Sequence, residues 1–105
     1  MSADHSLLVT ARALTGTSSN VASSASSVTI LAANNARKGA TITNDSTQVL
    51  YLKFGATAST SSYAVVLAGS SAAPFAYYEV PFGYVGIIDG IWASANGNAR
   101  VTELT

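Results

Sequence analysis

The sequence predicts an all-β protein: a single β-sandwich, jelly-roll-like, of about seven to eight short antiparallel strands with a flexible N-terminal arm. Three observations carry that expectation. From Ser27 onward, short β-branched or apolar runs recur at roughly 8–12-residue spacing, each closed by Gly, Pro, Asn, Asp or Ser. No long stretch shows the period of an amphipathic helix. The 105 residues are enough for one small core and fit one domain.

Residues 1–26 read as an N-terminal arm and linker, and residues 27–105 as the sandwich. Leu7, Leu8 and Val9 are either a first strand or part of the arm, and Arg12 is either solvated or paired with a partner chain. Thr15 to Ser27 is low in complexity, mostly Ser, Thr, Ala and Gly, and reads as a linker or long loop. The alternative is a strand over residues 7–14, packed on the sandwich.

The first clear strand is Val28–Leu31. Asn34–Gly39 is polar and reads as a turn, with Arg37 and Lys38 at its tip. In Ala40–Asn44 the alternation puts Thr41 and Thr43 on one face and Ile42 on the other. Asn44–Thr47 reads as a tight turn, because Asx and Ser side chains bond the local backbone. Gln48–Phe54 is the best amphipathic strand, with Leu50, Leu52 and Phe54 inward and Val49, Tyr51 and Lys53 outward. Gly55 ends it and a polar loop over residues 56–62 follows. Tyr63–Ala68 is a further strand. Tyr77–Val80 is a short one, closed by Pro81, which cannot donate to a ladder. Phe82-Gly83 turns the chain. Val85–Ser94 is a strand weakened by Gly86 and Gly90; Gly90 reads as a bulge, with a second hairpin turn at Asp89-Gly90 as the alternative. Ala99–Leu104 completes the set.

Ala95-Asn96-Gly97-Asn98 separates the last two runs, and Asn-Gly favours a two-residue hairpin turn. That loop would set Trp92 opposite Val101 and Ile91 opposite Thr102; a longer loop with Gly97 left-handed would shift the register. Trp92, the single tryptophan, is expected in the core with its indole N–H on a backbone carbonyl. The predicted core is Leu50, Leu52, Phe54, Val80 and Trp92.

Composition narrows the function. Five basic and five acidic residues cancel, and charged residues make up 10% of the chain, against roughly 25% in an ordinary domain. Such a surface does not suit nucleic acid and is weakly defended against association. There is no cysteine, so no disulfide framework or thiolate metal site is expected. No apolar run approaches a membrane span, and the first residues lack the basic start of a secretory signal.

Candidate chemistry is sparse. His5 is the single histidine and lies in the arm, so a Ser-His-Asp arrangement would depend on it. Asp4, Asp45, Glu79, Asp89 and Glu103 are scattered. Glu79 and Glu103 are the pair that could meet as glycosidase carboxylates; the plainer reading has them facing solvent or pairing with Lys53 and Arg100. Tyr63, Tyr77, Tyr78 and Tyr84 suit either sugar stacking or a core lining with the hydroxyl at its edge. No enzyme and no cofactor are expected. The interaction candidates are Leu7, Leu8, Val9, Arg12, Arg37 and Lys38.

Taken in order, five segments form a pattern: Arg37–Asn44 (RKGATITN), Leu50–Gly55 (LYLKFG), Tyr77–Pro81 (YYEVP) with Gly83-Tyr84, Gly90–Ala93 (GIWA) and Ala99–Glu103 (ARVTE). This order resembles a family of small proteins encoded among the structural genes of tailed bacteriophages, over roughly residues 28–105. The matching positions are turn and strand residues. The resemblance implies a virion component of the capsid decoration (cement) type, made in the host cytoplasm and placed on the capsid surface. It implies the major capsid protein as partner and a homo-oligomer, with a trimer over three-fold positions as the expected state. A tail, neck or fibre component is the alternative within that class, and a carbohydrate-binding β-sandwich module the alternative outside it.

Overall fold

Eight strands follow one another along residues 12–105, the part of the chain that the computed structural model describes. They are β1 (Gly16–Ala22), β2 (Val28–Leu31), β3 (Gly39–Asp45), β4 (Leu50–Phe54), β5 (Val65–Leu67), β6 (Tyr77–Val80), β7 (Ile88–Trp92) and β8 (Asn98–Leu104). One sheet has the order β1-β8-β3-β6 and the other β2-β7-β4-β5, and every pairing is antiparallel. Only β4 and β5 are consecutive strands within one sheet. Every other connection crosses between sheets, which is the jelly-roll path. Among the described residues there is no helix.

Alternation fixes which side of each strand is inside. In β3, Ala40, Ile42 and Asn44 are buried and Thr41 and Thr43 are not. Leu50 and Leu52 of β4, Ile88, Gly90 and Trp92 of β7, Ala99 and Val101 of β8, and Val80 of β6 complete the inner faces. Phe54 is half-buried and packs on this core from its edge, against Tyr78 and Tyr84 at ring-centroid distances of 6.1 and 5.0 Å. The five predicted core residues therefore all face inward.

Three expectations change. Gly16–Ala22, read as linker, is a strand paired with β8 over its whole length, from Gly16 opposite Leu104 to Ala22 opposite Asn98. The sandwich thus begins well before residue 27. Low complexity misled because an edge strand exposed on both faces has little need of apolar side chains. Its backbone ladder with β8 holds it in place, with Val21 its one side chain packed on the core. The segment Leu7–Val9 lies outside the described residues.

The last two strands do not form a hairpin. β7 and β8 belong to different sheets, so Trp92 is opposite Leu50 and Val101 is opposite Ile42 and Ser19. Asn96 and Gly97 instead shape the crossing between sheets. Gly97 is left-handed at φ 69°, and Asn96 Oδ1 accepts from the Thr47 N–H and hydroxyl at 3.1 and 3.0 Å. The same left-handed glycine that suits a hairpin suits a longer connection.

The bulge lies in β2, not at Gly90. The register shifts between Thr29 and Leu31, while Gly90 stays regularly paired with Val28 and Leu52. Gly90 is needed for a close approach: a Cβ there would sit 2.7 Å from Ile30 Cγ1 and 3.1 Å from Leu50 Cδ1.

Candidate functional site

The polar residues inside the sandwich are joints between its elements. Asn44 is the last inward residue of β3 and is fully buried. Its Nδ2 donates toward the carbonyls of Gln48, Leu67 and Ala68 at 2.8, 3.0 and 3.1 Å. Its Oδ1 accepts from Ser46 Oγ at 2.8 Å and from the Trp92 indole N–H at 3.2 Å. The tryptophan's partner is therefore this side chain and not a backbone carbonyl. Asn44 is expected where the strand Ala40–Asn44 meets the turn Asn44–Thr47; it lies within the strand, and its partners are not only local but also in the facing sheet. The alternation that buries Ile42 also buries Asn44, and that period was the available signal.

Arg37, an expected interaction residue, is buried. Its Nε donates to Glu103 Oε2 at 2.8 Å. Its Nη1 reaches the Tyr84 and Gly86 carbonyls at 3.2 and 2.9 Å, and its Nη2 the Ala32 carbonyl at 2.6 Å. Glu103 Oε1 accepts from Asn34 Nδ2 at 3.2 Å. The guanidinium fork thus ties β8 to the connections before β3 and before β7, with every side satisfied. Arg37 is therefore a structural joint and not a surface contact. Lys38 is half-buried, with Nζ 3.4 Å from the Ala36 carbonyl. Arg12 is exposed, and Leu7, Leu8, Val9, Asp4 and His5 lie outside the described residues.

The carboxylates stay apart. Glu79 shares the outer side of its sheet with Thr41, whereas Glu103 points to the inner side beside Ala40, so the two face opposite ways. Asp45 accepts from Arg100 Nε at 2.8 Å on the outer face. Lys53 donates to Ser62 Oγ at 2.8 Å. Asp89 is buried, receives only a long contact of 3.5 Å from Ser27 Oγ at Oδ2, and has no partner at Oδ1 among the described residues. No three His, Cys, Asp or Glu side chains among the described residues are grouped so as to hold a metal ion.

The tyrosines divide. Tyr78 and Tyr84 line the core edge, and Tyr84 donates to the Ile87 carbonyl at 2.6 Å. Tyr77 is exposed on the outer face of the first sheet, where its hydroxyl lies 3.4 Å from Glu79 Oε2. Tyr51 and Tyr63 meet on the outer face of the second sheet with centroids 5.0 Å apart and planes tilted by 57°. These rings form no coplanar row.

What remains is an uneven outer surface. The outer face of the first sheet carries Ser18, Thr102, Thr41 and Thr43, with the Ser18 and Thr102 hydroxyls 3.1 Å apart. On the second sheet, Tyr51 stands opposite both Ile91 and Val66, and Tyr63 leans on Tyr51. Val66 and Tyr63 are each 46% exposed. Four apolar or aromatic side chains thus share one face without a charge among them. At the other end of that face Lys53 and Asp89 are opposite each other, beside the loop that carries Ala58 and Ser62. The face formed by Tyr51, Tyr63, Val66 and Ile91 is the apolar part of the second sheet's outer side. Comparison with protein-family models, with curated proteins and with solved structures found no match.

Proposed function

We propose that this protein is a structural component of a phage virion that binds the outside of the capsid as a homo-oligomer and stabilises it. The observation that carries the reading is the apolar outer face of the second sheet, Tyr51, Tyr63, Val66 and Ile91, in a chain with 10% charged residues. A protein that works free in solution gains from charge on such a face; one that is permanently seated does not. The jelly roll is compatible, since that path serves capsid components among other proteins. The order of turn and strand residues described above supports the same class. The tilted Tyr51–Tyr63 pair is a poorer support for sugar stacking than a flat row would be.

The test is co-sedimentation of labelled protein with empty capsids, followed by electron microscopy of the particles. Wild-type protein is expected to pellet with capsids and to label their shell. Val66→Lys and Tyr63→Lys are expected to abolish pelleting while the circular dichroism spectrum stays unchanged. Label confined to tails, or full pelleting by both variants, rejects this assignment.

A further inference from the structure

The four sheet edges are not alike. β5 is three residues long. β6 is four, carries Glu79 and runs into Pro81. β2 is four and bulged. Short length, charge, proline and bulges are the ordinary means by which edges are kept from pairing with other chains. β1 has none of them. It runs seven residues in unbroken register with β8, with the sequence Gly-Thr-Ser-Ser-Asn-Val-Ala. It is exposed on both faces except at Val21.

Its ladder with β8 shows which backbone groups have no partner among the described residues. The Thr105 N–H bonds to the Thr15 carbonyl at 2.8 Å and the Ser23 N–H to the Gly97 carbonyl at 3.1 Å. Odd-numbered residues of β1 therefore face β8, and the N–H and C=O groups of Gly16, Ser18, Asn20 and Ala22 point away from the sheet. We infer that β1 is a self-pairing edge, joining β1 of a second copy antiparallel about a two-fold axis at Ser19, so that the two β1-β8-β3-β6 sheets become one continuous sheet.

The occupant follows from the sequence of the edge. Centred on Ser19, Gly16 meets Ala22 of the second copy and Ser18 meets Asn20. All four outward residues are then used, and each opposed pair exchanges two hydrogen bonds. No other centre uses all four. Side chains match as well: Ser18 and Asn20 are hydroxyl against amide on the outer face, and Thr17 meets Val21 as a β-branched pair on the inner side. An edge bearing charge would repel its own copy in this arrangement; this one bears none. Leu104, 37% exposed, packs on Gly16, where a Cβ would lie 3.5 Å from its Cδ2. From there it covers the approach of Ala22 of the second copy. This contact is two-fold and separate from attachment to a shell, so it stands or falls apart from the capsid reading.

Sedimentation of the full chain without capsids tests it. Wild-type protein is expected as a two-chain species that dissociates on dilution. Ser18→Pro removes an outward N–H and spares the bonds to β8. Asn20→Lys places like charges near the axis. Both are expected to halve the mass while the melting temperature of the monomer holds. Because the chain has no cysteine, Ser19→Cys adds a single thiol at the axis, within disulfide reach of its copy. Mild oxidation should link it into dimers far faster than Ala72→Cys on an exposed loop. A wild-type monomer at every concentration, a trimer, an unchanged mass for Asn20→Lys, or equal cross-linking at both cysteine positions would overturn the inference.

Discussion

Two arginines show how differently one residue type acts in this fold. The Arg37 side chain is fully buried and its partner Glu103 is half-buried, whereas Arg100 and Asp45 pair at the surface. Losing one partner of a buried pair strands the other charge. Arg37→Ala is therefore expected to cost about 3–5 kcal/mol in urea unfolding, and Arg100→Ala at most about 1 kcal/mol. Sequence alone could not separate them, because burial of Arg37 depends on carbonyls supplied by Ala32, Tyr84 and Gly86, which meet only in the folded chain. The partners of Asn44 were hidden for the same reason, although alternation places its side chain inside. By contrast, Leu52 was legible from alternation, and Leu52→Ala is expected to lose roughly 2–5 kcal/mol. Trp92, 1% exposed, should resist acrylamide quenching until the protein unfolds.

At the scale of elements, strands that carry their own pattern were readable and strands held by their neighbours were not. β2 and β6 fall where their β-branched and aromatic runs predict, and β6 stops at Pro81. β1 escaped because it is held by its ladder with β8 along seven residues, with only Val21 packed on the core. The partner of β7 escaped because a hairpin and a crossing between sheets begin with the same Asn-Gly signal. Gly90 illustrates the limit: a glycine inside a strand signals either a bulge or a close approach, and the neighbour Ile30 decides for the second. Gly90→Ala should destabilise by about 1–3 kcal/mol through overpacking, read as a lowered midpoint in urea with an unchanged slope.

For the whole molecule, the fold class was legible from strand count and spacing, while the candidate surfaces were not. Outer faces are chosen by which strands become neighbours, and Tyr51, Val66 and Ile91 are brought together only by the β7-β4-β5 order. The two surfaces proposed for association can be separated by experiment. Val66→Lys should abolish capsid pelleting and leave the two-chain species intact, and Asn20→Lys should leave a capsid-binding monomer. The position of β8 between β1 and β3 has a consequence for how the chain reaches this state. The first sheet lacks its middle until the last of the eight strands has been made, so nothing can bridge β1 to β3 during synthesis. Folding should therefore wait until β8 has left the ribosome and proceed in the slow range of non-local β topologies. A nascent chain stalled before Asn98 should be cut by protease throughout, and one stalled far enough beyond Thr105 for β8 to emerge should be protected as a single unit.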